Sequence, residues 1–416
     1  MEKPLWIISA SVFAFSFTTA VINLTSGLRV YSLSHSPSLL SLTTLVYNVL
    51  YTITSYYYGK IAYRRLSQVE LLITSFSTIG LTSLLMGIIP DPYAVISMNA
   101  FFGAGAAIGS PTLTAALVSY LMKDSIAVTR YNILVSLGTI FGYLTAAFMG
   151  SLPSSYILIF NGAILLFFTP LPAFLPPKFK VKMQEKIALA PMLSHLVGRV
   201  RSFPSEIVHW EKLISFGEAG REMRKMLRIK IGRASTLTLI GTVALFTAIN
   251  TFFTPMPAYL KIFKYNDKEI YALYLLSNFT TLLLYDFIKG KVGSWNDTWK
   301  VLVLSVSTRP FLFLLPLLTY FVHPIIIFPV LYIAVGATWA GISASLPVIS
   351  MMHASPEKKG ESVSKMNAMT SLGAILGSFL ASVISEFGII YTSLIASILA
   401  AASALIFKKA SSSPVD

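Results

Sequence analysis

Asn23, Asn48, Asn250 and Asn278 each stand inside a long apolar stretch of this chain, and Tyr47, Tyr51, Tyr143, Tyr274 and Trp339 lie in stretches of the same kind. A primary amide offers both a donor and an acceptor, and in apolar surroundings it must find partners. Bonds from helix to helix would satisfy the asparagines, and so would the wall of a ligand path. The aromatic residues can pack on one another or form a mostly neutral pocket. Charge is scarce in these stretches. Arg309 sits about ten residues into one of them, roughly 15 Å deep at 1.5 Å per residue. A guanidinium there costs about 2.5–3.5 kcal/mol to insert, so it must face protein or water. Its partners are backbone carbonyls, Asp286, or an anionic ligand. Asp286 lies near the end of its stretch and suits an interfacial carboxylate, a gate partner or a proton carrier. Glu70, Asp91, Asp124 and Glu386 fall near stretch ends, where solvent is expected to reach them.

Other chemistry is missing from the sequence. There is no cysteine, which excludes disulfides, thiolate metal sites and cysteine nucleophiles. The five histidines are scattered and show no metal-ligand spacing such as HExxH. No nucleophile and base stand in a recognisable arrangement, so neither an enzyme nor a cofactor nor a metal is expected.

The stretches themselves set the class of molecule. Of 416 residues, 55% are hydrophobic and 12% charged, against about 25% charged in a soluble domain. A water-soluble core cannot hide that much apolar surface, so the solvent is lipid. A helix of about 20 apolar residues spans a bilayer, and twelve are expected: 5–30, 38–58, 69–89, 93–121, 130–150, 154–175, 235–260, 270–288, 299–322, 325–350, 364–384 and 388–407. Turn signals such as Ser36-Pro37, Pro90-Asp91-Pro92 and His323-Pro324 separate them. The first is too long for the h-region of a cleaved signal, about 7–15 residues.

One segment occurs twice. RYNILVSLGTIFGYLTAAFM at 130–149 returns as KMNAMTSLGAILGSFLASVI at 365–384, with seven of twenty positions identical. Gly138 and Gly142, and again Gly373 and Gly377, leave one face of each helix bare and permit close backbone approach. Asn23 has a counterpart in Asn250, and Asn48 in Asn278. The expected fold is an all-α membrane protein of 12 transmembrane helices in two pseudo-symmetric six-helix bundles. The bundles cover residues 1–175 and 235–416, with a basic cytoplasmic linker at 176–234. Two bundles about a midplane site suit alternating access.

The net charge of +15 is informative through its placement. With both termini in the cytoplasm, 27 of the 32 Lys and Arg fall on cytoplasmic segments, as the positive-inside rule requires. The excess is then a topogenic signal, and no nucleic-acid partner is expected. Segment 176–234 holds thirteen basic and five acidic residues. Leu189, Met192, Leu193, Leu196 and Val200 recur there at helical spacing, and a basic run follows through Arg221, Arg224, Lys225, Arg228 and Lys230. Such helices can lie on an anionic inner leaflet at roughly 1 kcal/mol per basic residue, or serve as a solvated linker that only fixes topology. The expected setting is a multi-pass, monomeric protein of the cell membrane, with a small molecule and the bilayer as partners.

Six helices, a long cytoplasmic linker and six more helices resemble the major facilitator superfamily. After the second span, Gly59-Lys60-Ile61-Ala62-Tyr63-Arg64-Arg65-Leu66-Ser67 is similar to the family's G-x-(L/I)-A-D-R-x-G-R, with Tyr63 in place of the Asp and Leu66 in place of the second Gly. Gly290-Lys291-Val292-Gly293-Ser294 is a fainter echo in the other half. Asn99, Gly103 and Gly105 resemble the Arg-x-x-x-Gly-x-Gly pattern of span four, with Asn99 in the place of the arginine. Gly105 and Pro111 are echoed by Gly341 and Pro347, and Pro356-Glu357-Lys358-Lys359-Gly360 looks like the family's loop before span eleven.

The resemblance implies that spans 1, 2, 4, 5, 7, 8, 10 and 11 line a central cavity and that span nine is peripheral. It implies that spans five and eleven meet partner helices across the halves, which would put Gly138, Gly142, Gly373 and Gly377 at the moving joint. Gly59 and Arg64 would belong to the inner gate, Arg64 bonding helix C-terminal carbonyls in the absence of the acid. The drug-antiporter pattern Gly-Pro-x-x-Gly is incomplete, since Tyr143 follows Gly142, and no carboxylate falls mid-span where proton-coupled relatives place one. The implied function is secondary transport of a small neutral or amphipathic organic molecule, with efflux as one direction. Alternatives are uptake of a sugar or organic anion, with Arg309 or Arg29 as anion partner, and a non-transporting membrane receptor or lipid-interacting protein on the same fold.

Overall fold

A computed structural model describes residues 3–57, 66–121, 124–176, 233–289, 292, 294–352 and 359–412. The 59–65 signature with Gly59 and Arg64, and almost all of the basic segment 176–234, lie outside the described residues. So do the side chain of Asp286 and most of the 356–360 loop.

Among the described residues are twelve helices of fifteen residues or more: α1 (Lys3–Ser34), α2 (Pro37–Tyr57), α3 (Gln68–Ile88), α4 (Pro92–Leu121), α5 (Asp124–Met149), α6 (Ser154–Phe168), α7 (Arg233–Phe253), α8 (Asp267–Lys289), α9 (Trp295–Leu314), α10 (Pro324–Met352), α11 (Lys359–Ile384) and α12 (Ile389–Ser411). Their starts follow from local chemistry. Pro37, Pro92 and Pro324 occupy first helical positions, where a missing N–H costs nothing. Ser67 caps α3 in a reciprocal box with Glu70, and Ser294 caps α9 through the Asp297 N–H. A cap of this kind contributes about 1 kcal/mol. Asn266 and Glu269 exchange two bonds at the start of α8, and Asp91 accepts from Ala94 N at 2.6 Å before α4. Glu70 and Asp91 are therefore capping groups rather than merely solvated ones. Gly388, at φ +103°, makes the turn into α12 in a conformation that side chains rarely adopt.

Nine helices are long and apolar enough to cross a membrane on length and composition, counted over the described residues. α2, α5 and α8 fall short of that mark. The described part of α5 contributes a shorter apolar piece, Ile133–Met149.

Packing repeats with a period of six helices. α1 packs on α5, α2 on α4, α3 on α6 and α1 on α6; in step, α7 packs on α11, α8 on α10, α9 on α12 and α7 on α12. The joins between halves repeat too, α2 against α11 and α8 against α5. This is the pseudo-symmetric pair of six-helix bundles.

The glycine faces correct one expectation. A Cβ on Gly138 would stand 2.8 Å from Phe13 O, and one on Gly142 would stand 2.5 Å from Phe17 O, both on α1. Gly373 and Gly377 meet the Val243 and Thr247 carbonyls of α7 in the same manner. These glycines bring α5 onto α1 and α11 onto α7 inside each half, and the cross-half contacts of α5 and α11 use other faces.

The same contacts fix the register of the repeat. Gly142 lies over Phe17 and Gly377 over Thr247, so Asn250 corresponds to Ala20 and not to Asn23. Gly103 lies over Tyr47 O and Gly336 over Ser277 O; pairing these two glycines makes Asn48 and Asn278 equivalent and sets the Gly105–Gly341 echo three residues out of register.

Candidate functional site

Among the described residues, bonds between the halves gather toward one end of the helices, that of the α1–α2 and α11–α12 turns. Ser36 Oγ donates to Glu386 Oε1, the Ser38 N–H donates to the same oxygen at 3.2 Å, and Ser38 Oγ donates to Ser382 O. Glu386, expected to be merely solvated, thus holds the α1–α2 turn. Thr25 and Tyr271 share a buried hydroxyl bond at 2.6 Å, and Gly150 lies against the Lys268 backbone. Tyr143 and Tyr274 meet with ring centroids 5.8 Å apart, and Tyr274 and Tyr332 with centroids 5.1 Å apart. One apolar cluster draws on both halves here, with Val21, Leu24 and Leu28 beside Phe252, Met256 and Tyr259.

Further along the helices from these turns lies a cavity of about 480 Å³. Its walls come from α1, α2, α4 and α5 of one half and from α7 and α11 of the other. The lining advances in steps of four: Phe15, Thr19 and Asn23; Tyr47 and Tyr51; Tyr131, Val135 and Thr139; Phe246 and Asn250; Thr370 and Ala374. Residues four apart share a helix face, so each helix presents one stripe. The first half supplies most of the wall.

Asn23, Tyr47, Asn48, Tyr51 and Asn250 line the cavity. Asn23 is exposed although Val21, Ile22, Leu24 and Thr25 around it are buried. Asn48 Nδ2 donates to Ser378 Oγ at 3.0 Å, and Asn250 Nδ2 to Phe246 O at 2.9 Å. Tyr47 and Tyr51 stack at 5.8 Å with planes 29° apart.

Four expected residues are placed elsewhere. Tyr143 stands one turn beyond Thr139 and belongs with Tyr274 to the contact between the halves. Asn278 donates to Tyr274 O of its own helix at 2.9 Å. Trp339 packs edge-on against Phe246 at 6.0 Å, behind the ring that lines the wall. Neither Arg309 nor Arg29 lines the cavity. Arg309 is 1% exposed and donates to Val335 O at 3.2 Å, so of its possible partners the structure shows a backbone carbonyl. Arg29 reaches Ile89 O at 3.4 Å. The anion-partner role assigned to either residue is thereby corrected.

Phe15, Ser16, Tyr131, Thr139, Phe246 and Ser371 line the cavity without having been singled out in the sequence. Their signal was the four-residue step of Ser, Thr, Asn and aromatic positions along otherwise apolar helices. Tyr131 bonds Ser110 Oγ at 2.9 Å, tying α5 to α4 at the wall. Among the described residues that line the cavity, none is Asp, Glu, Lys, Arg or His. Among the described residues there is also no cluster of side chains able to hold a metal ion.

Comparison with known proteins is consistent with this architecture. The nucleoside transporter NupG superposes with a TM-score of 0.68 at 14% identity, covering 98% of this chain and 100% of that one. A D-xylose-proton symporter gives 0.67 at 14%, covering 97% and 96%. A POT family transporter solved with 5-aminolevulinic acid gives 0.72 at 11%, covering 97% and 95%. At such identities the likeness shows the fold alone. A sequence comparison with curated proteins finds no match. The family model described as Major Facilitator Superfamily matches residues 6–296, well over half of the sequence, and the chain therefore belongs to the Major Facilitator Superfamily.

Proposed function

We propose that this chain is a secondary transporter that moves a small neutral or amphipathic organic molecule through the cavity between its halves by alternating access. The observation that carries the reading is the placement of the cavity. It lies between two six-helix sets, and apart from Asn48–Ser378 at its wall the described cross-half bonds gather to one side of it. Hydrogen bonds of this kind can part and re-form as the halves rock. A site at mid-depth between inverted repeats is where transporters of this architecture hold their cargo.

The distribution of Lys and Arg supports an orientation with both termini in the cytoplasm of a cell whose plasma membrane holds the protein. In that orientation the joined end is the outer one. The basic 176–234 segment would then lie against the anionic inner leaflet. We assign the protein no catalytic step and treat it as a monomer.

The test is exchange in liposomes. Purified protein should carry a labelled solute across the bilayer in both directions when the same solute is present inside. A ligand that binds the protein and never crosses would instead favour a membrane receptor on this fold.

A further inference from the structure

We infer that the cavity takes an uncharged ring molecule bearing several hydroxyl groups, a cyclic polyol either free or joined to a neutral heterocycle. The inference rests on reading the cavity as the transport site and narrows its cargo. Two features of the wall carry it.

The first is hydrogen-bonding capacity that the fold leaves open. Along these helices Ser and Thr hydroxyls commonly donate to the carbonyl one turn back, as Thr18 does to Ala14 O at 2.8 Å and Thr25 to Val21 O at 2.7 Å. Among the described residues, Ser16, Thr139, Thr370 and Ser371 make no such bond, and all four line the cavity. The Asn23 amide also has no protein partner there. Asn48 and Asn250 each donate one N–H within the protein and retain a second N–H and a carbonyl oxygen. A cargo without polar groups would strip water from these atoms and leave them unpaired, at a loss of about tenfold in affinity for each. Hydroxyl groups, which both donate and accept, match an amide that does the same.

The second feature is charge and shape. No described lining residue carries charge, so an ion entering the cavity would lose hydration without gaining a counter-charge. The Tyr47 and Tyr51 rings, stacked on each other, border the cavity together with Phe15 and Phe246 as aromatic surfaces. Such walls suit the C–H face of a saturated ring or the plane of a heterocycle. Open amides and hydroxyls beside aromatic faces, with no charge, describe a site for a neutral, hydroxylated ring.

The test uses matched probes on the purified full-length protein at millimolar concentration, read by thermal unfolding. The neutral set is D-glucose, D-xylose, myo-inositol and uridine. The charged counterparts are D-glucosamine, D-glucuronate and uridine monophosphate, with tetraphenylphosphonium as an apolar cation. At least one neutral compound should raise Tm, and its charged counterpart should bind on the order of 100-fold more weakly. Asn23→Ala should weaken the neutral compound by about tenfold; if that variant does not fold, Thr139→Val keeps the volume while removing one open hydroxyl. No shift from any neutral compound, or stabilisation by the charged compounds or tetraphenylphosphonium alone, would overturn the inference. Binding of a neutral ring without exchange across liposomes would leave the ligand class standing and sink the transporter reading. Exchange of a charged solute would do the reverse.

Discussion

Asn48 Nδ2 donates to Ser378 Oγ at 3.0 Å, joining α2 of one half to α11 of the other at the wall of the cavity. Asn48 therefore belongs to the ligand site and to the joint at once, and a cargo hydroxyl that takes its amide competes with Ser378. Asn48→Ala and Ser378→Ala should each weaken the joint by about 0.5–1.5 kcal/mol. The double variant should add little to either. The chain has no native cysteine, so spin labels on Ser32→Cys and Phe387→Cys, exposed positions in opposite halves, report the separation cleanly. Longer or broader label distances are expected in both single variants; an unchanged distribution would show that the bond carries no weight.

Glu386 offers a second handle on the same joint. Its carboxylate accepts from Ser36 Oγ and from the Ser38 N–H, and a glutamine retains one acceptor while losing the charge. Glu386→Ala should open the label distance further than Glu386→Gln does. Equal distances in both variants and in the parent would place the closing force in the apolar cluster around Val21 and Phe252 instead.

Gly142 and Gly377 are expected to matter for assembly of each half rather than for its movement. A Cβ on Gly142 would come within 2.5 Å of a backbone oxygen that cannot step aside. Gly142→Ala should lower stability by about 1–3 kcal/mol, more than offsetting the better helix propensity of alanine. Thermal unfolding should register the loss while ligand affinity stays level. An unchanged Tm with slowed exchange would restore a mechanical role to the glycine.

Arg309 is buried beside a single carbonyl, with Nε unsatisfied. A buried guanidinium with one carbonyl partner costs desolvation energy that an apolar side chain of similar length does not. Arg309→Met should accordingly keep both Tm and exchange. Loss of exchange at an unchanged Tm would give Arg309 a functional part that its position does not suggest.

Much of the architecture was legible in the residues because lipid leaves few options: apolar runs of spanning length, punctuated by Ser-Pro and Pro-Asp-Pro, could only be helices. Part of the candidate site was legible for a similar reason, since Asn23, Asn48 and Asn250 had to face something polar. Depth and rotation were not. Tyr143 and Thr139 differ by one turn, yet one closes the joint and the other lines the cavity. Asn23 and Asn250 look like repeats of each other, but the glycine contacts set α1 and α7 three residues out of that register. Gly138 and Gly142 announced a close approach without naming the partner, which is α1 of the same half. Such distinctions arise from how whole helices are rotated against each other, and a single sequence carries little of that information.

The most direct measurement plugs the cavity. Thr139→Cys introduces one thiol at the wall of a cysteine-free chain, and its exchange in liposomes can be followed before and after N-ethylmaleimide. Labelling should abolish exchange, and the transported solute should protect the thiol from the reagent. Full exchange with Thr139→Cys completely labelled would mean that the cargo does not pass through this cavity.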